Sequence, residues 1–135
     1  MKPREEAKRR LVTEWLHKAD DDLGVAERLL SEDAAYPDAI AFHSQQAAEK
    51  CLKAFLAWRE TDFSKTHDLA QLLDLIHPLD ATLAESLRDV IVLTPYGVEL
   101  RYPGDRPEAT PREAQEAVEL ARKVRQAVNA ALRLA

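Results

Sequence analysis

The sequence has few of the residues that interrupt helices or crosslink chains. It contains three glycines and one cysteine among 135 residues, and no clean alternating run of β-branched residues predicts a strand. Because alanine, leucine, glutamate and arginine are abundant, the composition favours helix throughout. A single cysteine cannot form a disulfide within one chain. We therefore predict an all-α fold that is stable without a disulfide.

Two further absences bear on location and partners. No apolar run approaches the ~20 residues that cross a membrane, and the first ten residues lack the apolar segment of a signal peptide. These features predict a cytoplasmic protein with no membrane partner. The formal net charge of −5 argues against a globally basic nucleic-acid binder, so any anion site must be local.

The length is typical of a single domain, residues 1–135, with one core and no need for a structural metal or a cofactor. Residues 1–10 are charged and are expected to be frayed or to form a loose first turn. A periodic apolar pattern runs from Leu11 to near Ser31. The central segment Ala39–Trp58 is apolar over an arc of roughly 200°, about twice the width of an ordinary surface stripe. Its remaining arc is a narrow polar line: His43, Gln46, Glu49, Lys50 and Lys53.

The three consecutive aspartates of the first helix, Asp20 to Asp22, do not predict a metal site. Neighbouring helical residues point about 100° apart, so the three carboxylates cannot converge on one ion. Asp22 alone lies at the edge of the apolar stripe. There we expect a partly buried carboxylate that pairs with a cation of the central helix.

Local signals predict two shorter helices after the central one. Thr66 or Asp68 is expected to cap the first of them, which Pro78 ends. Asp80 or Thr82 is expected to cap the second, whose apolar face should stop before Pro95: Leu83, Leu87, Val90, Ile91 and Thr94.

A long loop and a well-marked last helix complete the chain. Residues 95–109 are rich in proline and glycine, and a connection of this length in a helical bundle is functional or disordered. The last helix opens with Thr110-Pro111-Arg112-Glu113, which supplies an N-cap, a proline at the first helical position and a capping-box glutamate.

Three segments of this chain resemble those of the prokaryotic HEPN domain family. They are the run QQAAEKCLKA at Gln45–Ala54, KTHDL at Lys65–Leu69 and RYP at Arg101–Pro103. Their order and spacing match as well as their residues, and the resemblance spans nearly the whole chain. It implies an up-and-down bundle of four to five helices, often dimeric and commonly encoded beside a minimal nucleotidyltransferase.

The resemblance also implies a function. We expect a module that binds a nucleotide or another phosphate-bearing ligand, pairs with a nucleotidyltransferase in a two-component, toxin–antitoxin-like system, or does both. The alternative is a metal-independent ribonuclease toxin that uses His67 and Arg101. A homodimer is expected as well, because the helices carry more apolar surface than a monomeric bundle of this size readily covers.

The motif of the RNA-cleaving members is not found in the matching segments. That motif is an arginine followed after four to six residues by a histidine, whereas seven residues separate Arg59 from His67 and no histidine follows Arg101. Arg10 and His17 have the spacing but lie outside the matching segments. The sequence therefore favours a non-catalytic module, and His67 with Arg101 would serve cleavage only if the fold brought them together.

The residues that we single out for ligand binding lie in the matching segments: Gln46, Glu49, Lys50, Lys53, His67, Arg101 and Tyr102. We expect the four cationic side chains to form one surface that Glu49 helps to orient. The alternative for the helix residues is a solvated or dimer-facing polar stripe. For His67 it is a structural hydrogen bond at a helix start. For Arg101 it is a pairing with an acid that fixes the long loop.

The remaining candidates for chemistry are assigned none. Cys51 lies inside the apolar arc of the central segment, which predicts a buried and inert thiol. His43 shares the polar line, and His17 and His77 lie at exposed-looking positions.

Overall fold

The computed structural model describes residues 2–97, 104 and 107–134, and every regular element among them is a helix. The all-α bundle predicted from the sequence is confirmed. The elements are α1 (Pro3–Ser31), α2 (Pro37–Trp58), α3 (Leu69–Ile76), α4 (Ala81–Ser86), a 3₁₀ helix (Arg88–Gly97) and α5 (Pro111–Leu134). Within the described ranges, no helix is long and apolar enough to cross a membrane.

Helix α2 is the centre of the bundle, as its wide apolar arc predicts. It contacts α1, α3, α5 and the 3₁₀ helix. Near its start, Ile40 packs with Ala26 of α1 and Ala114 of α5, whereas Ala54 near its end packs with Val12 of α1. Helix α1 is therefore antiparallel to α2, and α5 runs in the same direction as α2.

The connection between α2 and α5, called here the return leg, contains α3, α4 and the 3₁₀ helix. The backbone N–H of Ala109 donates to Asp38 Oδ1 at 2.8 Å, so α5 begins beside the start of α2 and the chain must travel back from Trp58 to reach it. The side chains of Asp68 and Asp80 accept hydrogen bonds from the first turns of α3 and α4, as two of the predicted caps.

The second part of this leg differs from the sequence-based expectation of one helix ending before Pro95. Helix α4 stops at Ser86, and a 3₁₀ helix continues through Pro95 to Gly97. The buried positions Leu87, Val90 and Leu93 recur every third residue. A 3₁₀ helix has three residues per turn, so this spacing keeps all of them on one face, whereas in an α-helix they would drift apart.

Helix α1 begins at Pro3 rather than at Leu11, so the frayed segment expected over residues 1–10 is instead helical from Pro3 onwards. Tertiary contacts stabilise the charged first turns. Arg4 forms an ion pair with Glu60 at 2.7 Å, and Lys8 Nζ lies 4.4 Å from the ring centroid of Trp58. Both partners lie at or just after the end of α2, a contact that the local sequence does not reveal.

The start of α5 is built as its sequence predicts. Glu113 N–H donates to Thr110 Oγ1 at 3.1 Å, and Thr110 N–H donates to Glu113 Oε1 at 3.0 Å. This reciprocal pair is a capping box. The long loop before it falls largely on residues 98–103, 105 and 106, which lie outside the described residues.

Two glycines offer a matched test of the packing. A Cβ on Gly97 would lie 2.6 Å from Cδ of the fully buried Gln45, whereas a Cβ on Gly24 of α1 would have no neighbour within 4 Å. We expect Gly97→Ala to destabilise the protein by ~1–3 kcal/mol through overpacking. Gly24→Ala should stabilise it by ~0.5–1 kcal/mol through helix propensity.

Urea unfolding of both variants measures the two free energies. If Gly97→Ala left the free energy of unfolding unchanged while Gly24→Ala raised it, Gly97 would not pack against Gln45 in solution.

Candidate functional site

The polar line of α2 is partly buried, and only a narrow strip of it reaches solvent. The structure describes every residue of α2, and between Ile40 and Ala57 all are buried except four. The four half-buried residues form the α2 strip, defined here as Phe42, His43, Gln46 and Lys50. Because the other residues between Ile40 and Ala57 are covered, a ligand that touches this part of α2 from outside must lie on the strip.

A buried carboxylate lies beside the strip. The Glu49 side chain is 4% exposed, and it accepts three hydrogen bonds. Its Oε1 accepts from His67 Nδ1 at 2.8 Å and from Gln45 Nε2 at 3.1 Å, and its Oε2 accepts from Lys53 Nζ at 2.8 Å. A carboxylate with this set of donors is satisfied without water.

Lys53 belongs to the interior rather than to a ligand surface. Its side chain is 9% exposed, and its ammonium lies 5.6 Å from the Trp15 ring and 5.8 Å from the Phe63 ring. The two rings contact each other edge to face. Two aromatic faces and one carboxylate together offset the cost of burying this cation. Lys53 is therefore the buried counter-ion of Glu49.

Gln45 fixes the other side of the cluster. Its Nε2 donates a second hydrogen bond to the backbone carbonyl of His67 at 3.0 Å, and its Oε1 accepts from Gln46 Nε2 at 2.7 Å. Both the ring and the backbone of His67 are thus held from α2. Sequence reasoning missed Gln45 as a site residue, although an amide beside Leu52 and Leu56 in the apolar arc is a signal that it needs buried partners.

The result is an oriented imidazole at the surface. The His67 side chain is 61% exposed, and Nδ1 faces the buried Glu49. In the neutral ring Nδ1 carries the proton toward Glu49, which leaves the Nε2 lone pair available. Such a ring can accept a proton at Nε2 or, once protonated, donate a hydrogen bond to an anion.

A second carboxylate cluster joins α1 to the strip. Asp22 Oδ1 accepts from His43 Nδ1 at 2.8 Å, and Asp22 Oδ2 forms an ion pair with Lys50 Nζ. The Asp22 side chain is 13% exposed. The predicted pairing of Asp22 with a cation of the central helix is confirmed.

Lys50, Lys53 and His67, the described members of the predicted cationic surface, therefore do not form such a surface. Lys50 is paired with Asp22, and Lys53 is buried on Glu49. Two of its predicted members, Lys50 and His67, remain accessible, and Gln46 is half-buried between the two clusters. Arg101 and Tyr102 lie outside the described residues.

The other candidates behave more simply. Burial raises the pKa of the Cys51 thiol to about 12, so this cysteine is inert at neutral pH, as predicted. His17 is exposed on α1 and His77 is exposed at the C-terminal cap of α3, each beside an acid. Among the described residues, no group of three or more His, Cys, Asp or Glu side chains is arranged to hold a metal ion.

The buried pair predicts a large effect on stability. We expect Glu49→Gln to lower the free energy of unfolding by ~3 kcal/mol or more, because it leaves the Lys53 ammonium buried without its counter-charge. The double variant Glu49→Gln with Lys53→Met should lose less than the sum of its single variants. Urea unfolding of all three measures the coupling.

The control is Asp89→Asn, which breaks an exposed pair with Lys123 and should cost less than ~1 kcal/mol. A Glu49→Gln cost no larger than that of the control would mean that Glu49 is not buried in solution.

Comparisons with known proteins place this geometry in context. The model of the HEPN domain family matches residues 12–131. The crystal structure of TT1696 from Thermus thermophilus superposes with a TM-score of 0.74 at 30% identity, covering 87% of this chain and 95% of that one. The crystal structure of ST0689, an archaeal HEPN homologue, gives a TM-score of 0.66 at 25% identity, covering 88% and 95%. No curated protein sequence matches the chain.

Proposed function

The chain belongs to the HEPN domain family, and from that premise we propose that it is a binding module that holds a nucleotide or another phosphate-bearing ligand at His67. One observation carries the proposal: the buried Glu49 holds Nδ1 of His67 at 2.8 Å while the ring itself is largely exposed. An imidazole fixed in this way presents Nε2 in a constant direction, which lowers the entropic cost of contacting a ligand.

The charges of the cluster suit a local anion site in an acidic protein. Glu49 and Lys53 neutralise each other, so protonation of His67 leaves one net positive charge at the surface. A hydrogen bond from that ring to a phosphate oxygen is charge-assisted and contributes ~1.5–3 kcal/mol. Arg101 and Tyr102 remain part of the proposal as further ligand contacts from the long loop.

The protein partner that we propose is a nucleotidyltransferase, which follows from the family resemblance. The two proteins would form a two-component, toxin–antitoxin-like pair. Co-purification from the native host, with mass analysis of bound proteins and small molecules, tests this part. Recovery of the chain without a nucleotidyltransferase would argue against the pair.

Cleavage of RNA is a second candidate, and the same dyad favours it. A carboxylate that holds Nδ1 of a histidine leaves Nε2 free to act as a general base toward a 2′-hydroxyl. This reaction would also need a cation near the scissile phosphate, and Arg101 is the residue proposed for it. An RNA cleavage assay that loses its signal in His67→Ala would favour the nuclease over the binding module.

The binding prediction is tested by calorimetry. Nucleoside mono-, di- and triphosphates and a short RNA are titrated into wild type and His67→Ala. We expect the variant to bind the preferred ligand roughly 10- to 150-fold more weakly, the loss of one charge-assisted hydrogen bond. Thermal unfolding of the variant checks that its fold is intact.

The matched control is His77→Ala. His77 is also exposed and also lies beside a glutamate, Glu85, but at the opposite end of α3, so its removal should leave the affinity unchanged. If wild type bound none of the probes, the nucleotide proposal would fail and a protein-partner surface would be the better account.

We also propose a homodimer. Support comes from large apolar side chains left accessible in the bundle, of which Val92 is 63% exposed and Leu11 is 47% exposed. Leu11 lines two cavities, one of about 480 Å³ between α1 and the segment that follows α2, and one of about 240 Å³ on the surface of α1. Light scattering at tens of micromolar is expected to give twice the mass of one chain, and a clean monomer would contradict the dimer.

A further inference from the structure

The four histidines of the chain fall into two pairs by the nitrogen that each one uses. His43 and His67 contact a carboxylate through Nδ1, at 2.8 Å in both cases. His17 and His77 contact an acid through Nε2, at 3.6 and 3.3 Å. Only the first arrangement leaves Nε2, the outer nitrogen of the ring, available to a ligand.

The surroundings of His43 repeat those of His67. In each case one carboxylate is shared by an imidazole and a lysine, Asp22 with Lys50 in one cluster and Glu49 with Lys53 in the other. The carboxylate and the lysine neutralise each other.

His43 is also partly accessible, whereas most of α2 is buried. It belongs to the α2 strip, and its side chain is 30% exposed. Phe42 packs edge-on against it, with ring centroids 5.2 Å apart. Among the residues that the structure describes, Nε2 of His43 has no hydrogen-bond partner.

The spacing of the two clusters limits the ligand. Glu49 lies six positions after His43 on α2, so the points that anchor the two rings are roughly 9 Å apart along the helix axis and about 120° apart around it. A single inorganic phosphate is too short to reach both. A nucleotide or a short oligonucleotide is long enough, and between the clusters it would meet Gln46, whose amide can bond a base or a sugar.

We propose that His43 is a second ligand-contacting imidazole, and that one phosphate-bearing ligand spans the α2 strip from His43 to His67. Asp22 is the positioning residue of His43, as Glu49 is that of His67. This inference rests on the proposed function, since it adds a second contact to the ligand held at His67.

The experiment follows the ring Cε1–H signals of all four histidines by NMR during titration with a ligand. The probes are AMP and a 2′-O-methyl RNA tetranucleotide, which resists cleavage, with inorganic phosphate as the short probe. With whichever of the two longer probes binds, the His43 and His67 signals should move together with one dissociation constant. The two arms distinguish a free nucleotide from RNA as the source of the phosphate.

His17 and His77 are internal controls whose signals should not move. Inorganic phosphate should move the His43 and His67 signals with separate dissociation constants, since it cannot bridge them. If a longer probe moved only the His67 signal, the inference would be overturned while the proposed function stood. If no probe moved either signal, the proposed function itself would fail.

A variant adds a measurement of affinity. His43→Gln leaves Asp22 paired with Lys50, so it keeps the charges of the cluster balanced, and we expect it to weaken binding of the longer probe about tenfold or more. His17→Gln is the matched control on α1 and should bind as wild type does. An unchanged dissociation constant in a folded His43→Gln protein would overturn the inference.

Discussion

The burial of one carboxylate on α2 imposes much of the remaining architecture. Glu49 is held away from water, and a buried charge must be given donors from whatever elements surround it. Lys53 supplies one from the next turn of α2, Gln45 supplies another from the previous turn, and His67 supplies the third from the connection to α3. The path of the chain after α2 is therefore tied to this side chain.

The electrostatic design of the α2 strip follows from the same constraint. His43 and His67 each adjoin a carboxylate–lysine pair of zero net charge rather than a field of free cations, in a chain whose net charge is −5. The ligand site that we propose here would select its ligand by oriented hydrogen bonds more than by bulk attraction. That property suits a small phosphate ester better than a long duplex.

Most helix starts can be predicted from neighbouring residues, whereas the start of α1 depends on tertiary contacts. The capping box at Thr110 and the cap at Asp68 are read from neighbouring residues, because a cap bonds within its own first turn. The start of α1 at Pro3 depends on Glu60 and Trp58, which are distant in the sequence, and periodicity carries no information about such partners.

For the candidate site, the sequence by itself determined the polar line on α2, the place of Asp22 at the edge of an apolar stripe and the inert burial of Cys51, since all of these depend on helical period. Only the tertiary structure decided that Lys53 is interior, that Gln45 is a structural member and that His43 matches His67. Which residues meet depends on how α1, α2 and the return leg pack together, and helical period says nothing about the partner that each side chain finds across that packing.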